Sequence, residues 1–248
     1  MEKVYEQKYH ELEREQWWFK SRRDMVLRYV RQFPAAKILD IGCSSGLLLE
    51  NLQEEGFSTD QLYGIDISPE GIEKCREKGF DNCHVMDGAA IDLPKGSFDL
   101  LVVSDCLEHI EDDEKALANW YGLLRPGGVL ICFVPAFMSL WSAHDVVNHH
   151  FRRYTKKELV EKMQAAEFKV MRSGYWNALL FPPVFAFRKV KNMLGKFKKE
   201  HEPQEDLQPT ASVVNTALTN LLRLENTLLE NGTISFPFGV STFCIAKK

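Results

Sequence analysis

From residue 36 onward the chain alternates short apolar runs with stretches in which apolar positions recur at helical spacing. AKILDIG, ending at Gly42, reads as a buried strand. LLLENLQEEG follows with helical spacing and stops at Gly56, a C-terminal cap. LYGIDI is a second strand, and SPEGIEKCREKG opens a helix with Ser68 as N-cap and Pro69 in the first turn. NCHVMDG and FDLLVVSD are the third and fourth strands. DDEKALANWYGLL is a helix closed by the turn Arg125-Pro126-Gly127-Gly128, and VLICFVP is the fifth strand. Strands rich in Val, Ile and Leu that alternate with helices predict an α/β fold with a parallel sheet covered on both faces.

Two flanks surround this core. Residues 1–33 read as helical, with Trp17, Trp18 and Phe19 ahead of the amphipathic run SRRDMVLRYVRQF. Beyond the fifth strand, MSLWSAHDVVNHHFRRY reads as a polar loop rich in histidine, and TKKELVEKMQAAE as a helix. FKVMRSGYW is a sixth strand and STFCIAKK a seventh. Between them lies an insertion with ALLFPPVFAF, a basic stretch, the linker KEHEPQEDLQP and the helix VVNTALTNLLRLENTLLENG. The expected division is a helical N-terminal lid at 1–33, a core domain at 34–176 plus 234–248, and a helical cap at 177–233.

Composition narrows the classes. The 248 residues carry 31 basic and 35 acidic side chains, a net charge of -4. That argues against general nucleic-acid binding, which draws its affinity from Lys and Arg on phosphates. No apolar stretch is long enough to span a bilayer, and the charged first residues lack a signal-peptide core, so a cytoplasmic protein is expected. The six cysteines form no CxxC pair and read as reduced, buried thiols, with no metal site expected.

Chemistry concentrates at Asp40-Ile41-Gly42-Cys43-Ser44-Ser45-Gly46, between the first strand and its helix. Glycines there let backbone amides approach a ligand at the carboxyl edge of the sheet. A dinucleotide fingerprint fails, because Ser44 and Leu47 stand where its second and third glycines belong, and no P-loop is present. Asp40 would repel a pyrophosphate and suits a cationic amino group. Asp66, ending the second strand beside Ile67, can accept both hydroxyls of a ribose. Asp87-Gly88-Ala89, after the third strand, is placed to meet an adenine edge, or caps a turn. An amino acid, a ribose and an adenine together make S-adenosylmethionine.

On these residues the chain resembles the class I S-adenosylmethionine-dependent methyltransferases. ILDIGCSSG matches that family's glycine motif except that Ser44 replaces the middle glycine, a change expected to be tolerated in an ordinary backbone conformation. YGIDIS, FDLLVVSDCLEHI and LLRPGGVLI match in order. The resemblance implies a Rossmann-like, doubly wound, seven-stranded sheet of order 3-2-1-4-5-7-6 with the last strand antiparallel. It places the cofactor's methionine moiety at Ser104, Asp105 and Leu107. Trp17, Trp18 and Phe19 read as core, or, because they precede the sheet, as a lid on the cofactor with Arg22 on its carboxylate. The motifs Trp17-Trp18-Phe19-Lys20-Ser21-Arg22-Arg23 and His150-Phe151-Arg152-Arg153-Tyr154-Thr155 further resemble a bacterial subgroup (methyltransferase types 11, 12 and 23).

The implied reaction is methyl transfer to an oxygen or nitrogen of a small-molecule or lipid-linked acceptor, with S-adenosylhomocysteine as product. His109, His144 and His150 are candidates for the base, and Arg152, Arg153 and Tyr154 for holding the acceptor. Each also has a plain reading: packing or capping for His109, ion pairing with an acidic helix for the two arginines. Four histidine-loop donors, His144, Asp145, His149 and His150, lack HExxH-type spacing, and no metal is expected there. The alternative function is a non-catalytic sensor or assembly protein that binds the same cofactor. Residues 188–200 hold six basic side chains against Glu200 alone, a local charge of +5. They read as a solvated helix face, or, with residues 178–187, as a peripheral contact to anionic lipid. The acceptor and the oligomeric state are not legible.

Overall fold

The computed structural model describes residues 12–195, 210–232 and 234–248. In chain order its elements are α1 (Trp17–Val30), β1 (Ile38–Ile41), α2 (Leu47–Glu54), β2 (Leu62–Asp66), α3 (Pro69–Glu77) and β3 (Cys83–Val85). There follow β4 (Phe98–Ser104), α4 (Asp113–Leu123), β5 (Leu124–Pro135), α5 (Ala143–Val147) and α6 (Lys156–Ala165). The chain closes with β6 (Lys169–Trp176), α7 (Phe181–Gly195), α8 (Ser212–Glu230) and β7 (Ser241–Lys247).

The strands form one seven-stranded sheet of order β3-β2-β1-β4-β5-β7-β6. Strands β1 to β5 pair in parallel, and β7 enters antiparallel between β5 and β6. This is the Rossmann-like order expected from the motifs. Parallel strands need helical crossovers, so both faces of the sheet are covered. Along β5, Val129, Ile131 and Phe133 enter one core cluster, while Leu130, Cys132 and Val134 enter the other. That alternation is the period of two of a strand buried on both sides.

Local signals are realised as written. Ser68 caps α3 by accepting the amide of Gly71 at 3.0 Å, and Gly56 follows α2 with φ +98°. Two segments differ from expectation. The turn at Arg125–Gly128 is absorbed into β5, because Leu124 already pairs with Phe98 before the register shifts to Leu100 and Val129. The loop after β5 contains α5, held by a capping box between Ser142 and Asp145.

The flanks are not separate layers. Met25, Val26, Tyr29 and Val30 of α1 and Leu222 and Leu229 of α8 belong to the same core cluster as the sheet, and α1 packs on α8. Trp18 meets Trp176 of β6 edge to face at 5.0 Å. The boundaries drawn at 33 and 177 therefore cut through one hydrophobic core. In α7, Phe187 and Val190 are exposed, and Arg188 donates to the carbonyl of Leu140. Lys196, Lys198 and Lys199 of the basic stretch, and Lys191's side chain, lie outside the described residues. No helix among those residues is long and apolar enough to cross a membrane.

The approach to β7 is set by backbone contact. A Cβ at Gly239 would lie 2.4 Å from the carbonyl oxygen of Trp176, and the backbone there cannot swing away. Gly122, inside α4, has open space where its Cβ would be. Gly239→Ala should lower the unfolding free energy by about 3 kcal/mol, and Gly122→Ala should raise it by about 0.5–1 kcal/mol. Urea unfolding of the two variants checks both signs.

Candidate active site

The loop after β1 turns on left-handed backbone at three residues: Gly42 (φ +82°), Ser44 (φ +49°) and Gly46 (φ +78°). The amides of Gly42 and Cys43 both donate to the carbonyl of Ile65 on β2, at 2.8 and 3.0 Å. Ser44 donates its amide to Asp66 Oδ2 at 2.8 Å, and Ser68 donates to Oδ1 at 2.9 Å. The Asp66 carboxylate is thus fixed in orientation with a lone pair left on each oxygen. Burial raises its pKa, against the pull of those two amides. Asp40, on β1 beneath the loop, is pushed well above the ordinary carboxylate range by burial and by Cys75, Glu13 and Asp66. Ile67, next to Asp66, presents an exposed apolar side chain at the same edge.

Across the sheet edge stands Arg22 of α1, which is buried. Its guanidinium lies 4.3 Å from the ring centre of Trp176, 4.5 Å from Phe133 and 5.4 Å from Trp18. Nη2 donates to Ser241 Oγ at 2.6 Å, and Nη1 is 3.6 Å from Asp105 at the end of β4. Nε and Nη1 have no hydrogen-bond acceptor. Burial lowers the pKa of Arg22, with Asp105 and Glu108 acting against it. Other buried polar atoms without hydrogen-bond partners include Glu108 Oε2 and both side-chain heteroatoms of Asn177, which follows β6 with φ +59°.

Beyond β4 and β5 the histidines converge. The rings of His109 and His150 meet edge to face at 4.5 Å, and those of His144 and His150 at 6.0 Å. His150 Nδ1 lies 2.9 Å from Asp145 Oδ1. Burial of Asp145 opposes ionisation, but hydrogen bonds from His150 and Arg153 hold its carboxyl well below the usual range. His109 is reachable by solvent, yet partial desolvation, with His150 beside it, draws it down to about 4. Glu108, His109 and His150 bring one ligand atom each within 4.8 Å of one another, a donor set able to hold a cation or pass a proton.

Residues 39–132, running from β1 into β5, match the family model described as a methyltransferase domain. A trans-aconitate 2-methyltransferase of Deinococcus radiodurans is 32% identical over 125 residues, 50% of this chain and 45% of that protein. A ubiquinone biosynthesis O-methyltransferase of Xanthomonas campestris pv. campestris is 33% identical over 157 residues, 55% and 64% of the two chains. The chain thus spans between about half and just under two-thirds of these curated relatives. A solved S-adenosylmethionine-dependent methyltransferase of Thermotoga maritima superposes over 100% of both chains, with TM-score 0.61 and 17% identity, a likeness of fold.

Residues 39–132 match a methyltransferase domain, and the fold is the one seen in S-adenosylmethionine-dependent methyltransferases.

Within this methyltransferase fold the expected site residues divide. Asp40, Gly42, Ser44, Gly46, Asp66, Ile67, Ser104, Asp105, Trp18 and Arg22 gather along the carboxyl edges of β1, β2 and β4 and the facing side of α1. Ser44 does not have the ordinary backbone expected of it; its φ is left-handed, and the clasp on Asp66 holds it there. Leu107 is fully buried in the core, so its side chain is not available to a ligand. Cys43 is likewise buried, so that residue offers the ligand no side chain. Asp87 caps its own turn by accepting the amide of Ala89 at 2.8 Å, and the carbonyl of Gly88 accepts Trp120 Nε1 at 2.8 Å.

The acceptor assignments change most. Arg153 is buried and clamps Asp145 with Nε at 2.7 Å and Nη2 at 3.1 Å, while Nη1 donates to Ala136. Tyr154 donates to Asp113 at 2.9 Å and bridges to Ala136. Both are held within the fold, and neither retains a group for an acceptor. Arg152 pairs with Asp113 at 2.9 Å and donates to Glu111, the plain ion-pair reading. Gln16 and Asn177 were not singled out in the sequence. They sit in segments without a motif, and only burial marks them.

All six cysteines are free, and all but Cys106 are buried, as expected. Cys43, Cys75 and Cys83 bring their sulfurs within 4.8 Å of one another. Hydrogen bonds from Cys43 and Cys75 draw the Cys83 thiol down to about 4.

Two outcomes separate structural from ligand-facing residues. Arg153→Met removes the buried guanidinium that offsets the Asp145 charge, and should cost about 3 kcal/mol, whereas Arg152→Met should cost less than about 1 kcal/mol. Chemical denaturation of both variants measures this. Burial also draws His144 down to about 4, whereas an unfolded histidine titrates near about 6.5. Between those values the unfolded chain binds more protons, so stability falls as pH falls from about 6.5 toward 4. Urea midpoints at pH 7.5 and 5 should show this drop, and His144→Gln should reduce it.

Proposed function

We propose that this chain transfers the methyl group of S-adenosylmethionine to an oxygen or nitrogen of a small-molecule or lipid-linked acceptor. The observation that carries the reading is the buried Arg22 guanidinium, with two N–H groups lacking acceptors, across the sheet edge from the glycine loop. Unsatisfied N–H donors on a buried cation suit an anionic group such as a carboxylate. The fixed Asp66 carboxylate, with a lone pair on each oxygen, suits the two ribose hydroxyls. Asp40, raised by burial, would regain its charge beside an ammonium. Those three demands are met by one ligand, the cofactor after which the family is named.

When bound, S-adenosylmethionine supplies an electrophilic methyl carbon on a sulfonium. The chain's part is then alignment and proton removal. Gly42 and Gly46 keep the loop backbone open to close approach, and Trp18 with Arg22 lies over the facing edge. For an oxygen acceptor, His150 takes the proton at Nε2. Asp145 holds its Nδ1, and Arg153 holds Asp145 in turn. A carboxylate that fixes the tautomer of an imidazole is the ordinary way to prepare a base. His109, neutral through its lowered pKa, lies against His150 without adding charge. His144, farther from His150, is hydrogen-bonded around Asn148 and is a poorer base candidate.

The names of the matched relatives support this class of acceptor: one is a trans-aconitate 2-methyltransferase and another an O-methyltransferase of ubiquinone biosynthesis. The exposed Phe187 and Val190 of α7 favour an acceptor with an apolar portion.

Asp66→Ala and Gly42→Val should abolish S-adenosylmethionine binding, and Arg22→Met should weaken it at least about tenfold, since the lost contact is a charge-assisted pair worth about 1.5–3 kcal/mol. Calorimetry reads all three, and unchanged affinity would overturn the site. His150→Gln should leave cofactor affinity intact and reduce turnover of an oxygen acceptor by about 100-fold or more. Tight cofactor binding with no methyl transfer across a panel of acids, phenols and amines would favour the non-catalytic sensor instead.

A further inference from the structure

Three of the six cysteines come from separate elements yet meet in one place. Cys43 lies in the glycine loop, Cys75 in α3 and Cys83 at the start of β3, and their sulfurs are within 4.8 Å of one another. All three side chains are buried. The neighbouring backbone is shaped around them. A Cβ at Gly64 of β2 would lie 2.8 Å from Cys43 Sγ and 2.9 Å from Cys83 Sγ, and a Cβ at Gly46 would lie 2.9 Å from Cys75 Sγ. Two glycines thus leave room for the trio from two sides. Cation charge is close at hand, with Arg76 donating to the carbonyl of Cys83 at 3.2 Å and Lys78 to that of Ser45 at 2.5 Å.

We infer that Cys43, Cys75 and Cys83 form a three-coordinate site for a soft, thiophilic cation of the copper(I) class. Thiolates around a metal at about 2.3 Å in a trigonal plane stand about 4 Å apart, within the separation found here. Thiolate sulfur selects copper(I) and zinc over hard cations. Structural zinc takes four ligands. Among the described residues no fourth histidine, cysteine or carboxylate joins the group, and burial leaves no ready place for water. Each thiol releases its proton to solvent as the cation binds, so the site exchanges up to three protons for one metal ion. Because Cys43 lies between Gly42 and Ser44, an occupied site would stiffen the same loop that clasps Asp66. The inference stands apart from the proposed methyl transfer, since it needs only the trio.

The test uses the full chain, reduced and kept free of oxygen, with copper(I) titrated against a chromogenic copper(I) chelator. One equivalent should bind, with an ultraviolet sulfur-to-copper band. Cys75→Ala and Cys83→Ala should each weaken binding at least about tenfold, while Cys132→Ala and Cys244→Ala, whose sulfurs lie outside the trio, should not. Because a buried alanine can unsettle the core, the unaltered protein is also heated with and without copper(I), and its midpoint should rise. No stable copper(I) complex, a midpoint that does not move, or binding unchanged in the Cys75 and Cys83 variants would overturn the site. One equivalent of zinc bound as tightly as copper would overturn its three-coordinate character.

Discussion

The clasp between the first two strands is the interaction on which the rest of the site depends. The carbonyl of Ile65 accepts the amides of Gly42 and Cys43, and the carboxylate of Asp66 accepts those of Ser44 and Ser68. Four donors from two βα turns are therefore anchored on two consecutive residues of β2. A loop alone would scatter over many backbone states, each fixed residue costing on the order of 1–2 kcal/mol in entropy. Here left-handed backbone at Ser44, a conformation costing a non-glycine residue about 1 kcal/mol or more, is held by the same bonds. The clasp also aims Asp66 and sets the rim of the cleft.

The opposite wall rests on a different balance. Arg22 is taken out of water, against desolvation, and the compensation is partial: one hydrogen bond to Ser241, Asp105 at 3.6 Å, and two aromatic faces within 4.5 Å. Buried charge without full pairing is rarely kept for stability alone. The neighbouring dyad of Asp145 and Arg153 is the contrasting case, a buried ion pair in which one guanidinium edge engages both carboxylate oxygens while Nη1 donates to the carbonyl of Ala136. The first arrangement is open to a ligand, and the second holds a histidine still. Two buried arginines thus differ in pairing, one left with unsatisfied N–H groups and the other paired with Asp145.

Much of the fold was legible because its signals are local. Ser68 and Pro69 begin α3, Gly56 follows α2, and the apolar runs mark strands buried on both faces. The glycine loop and Asp66 were legible for a related reason, since both lie at strand ends whose order in the chain fixes their place at the sheet edge. Arg152, Arg153 and Tyr154 misled because adjacent residues in an irregular segment point in directions that no periodicity specifies. Arg153 turned inward to Asp145 and Tyr154 to Asp113. The N-terminal helix likewise read as an appended lid, although its apolar face is continuous with the core beneath β5.

By itself the sequence determined the alternation of strands and helices and the place of the glycine loop and Asp66 at strand ends, while the seven-stranded order was implied by the family resemblance. The first two follow from periodicity and capping, which act over a few residues. Only the tertiary structure decided which arginine is satisfied and which is not, which histidine has a carboxylate behind it, and that three cysteines spaced 32 and 8 residues apart share one pocket. Those outcomes depend on burial and on contacts between distant segments, where a few ångströms decide whether a charge finds a partner.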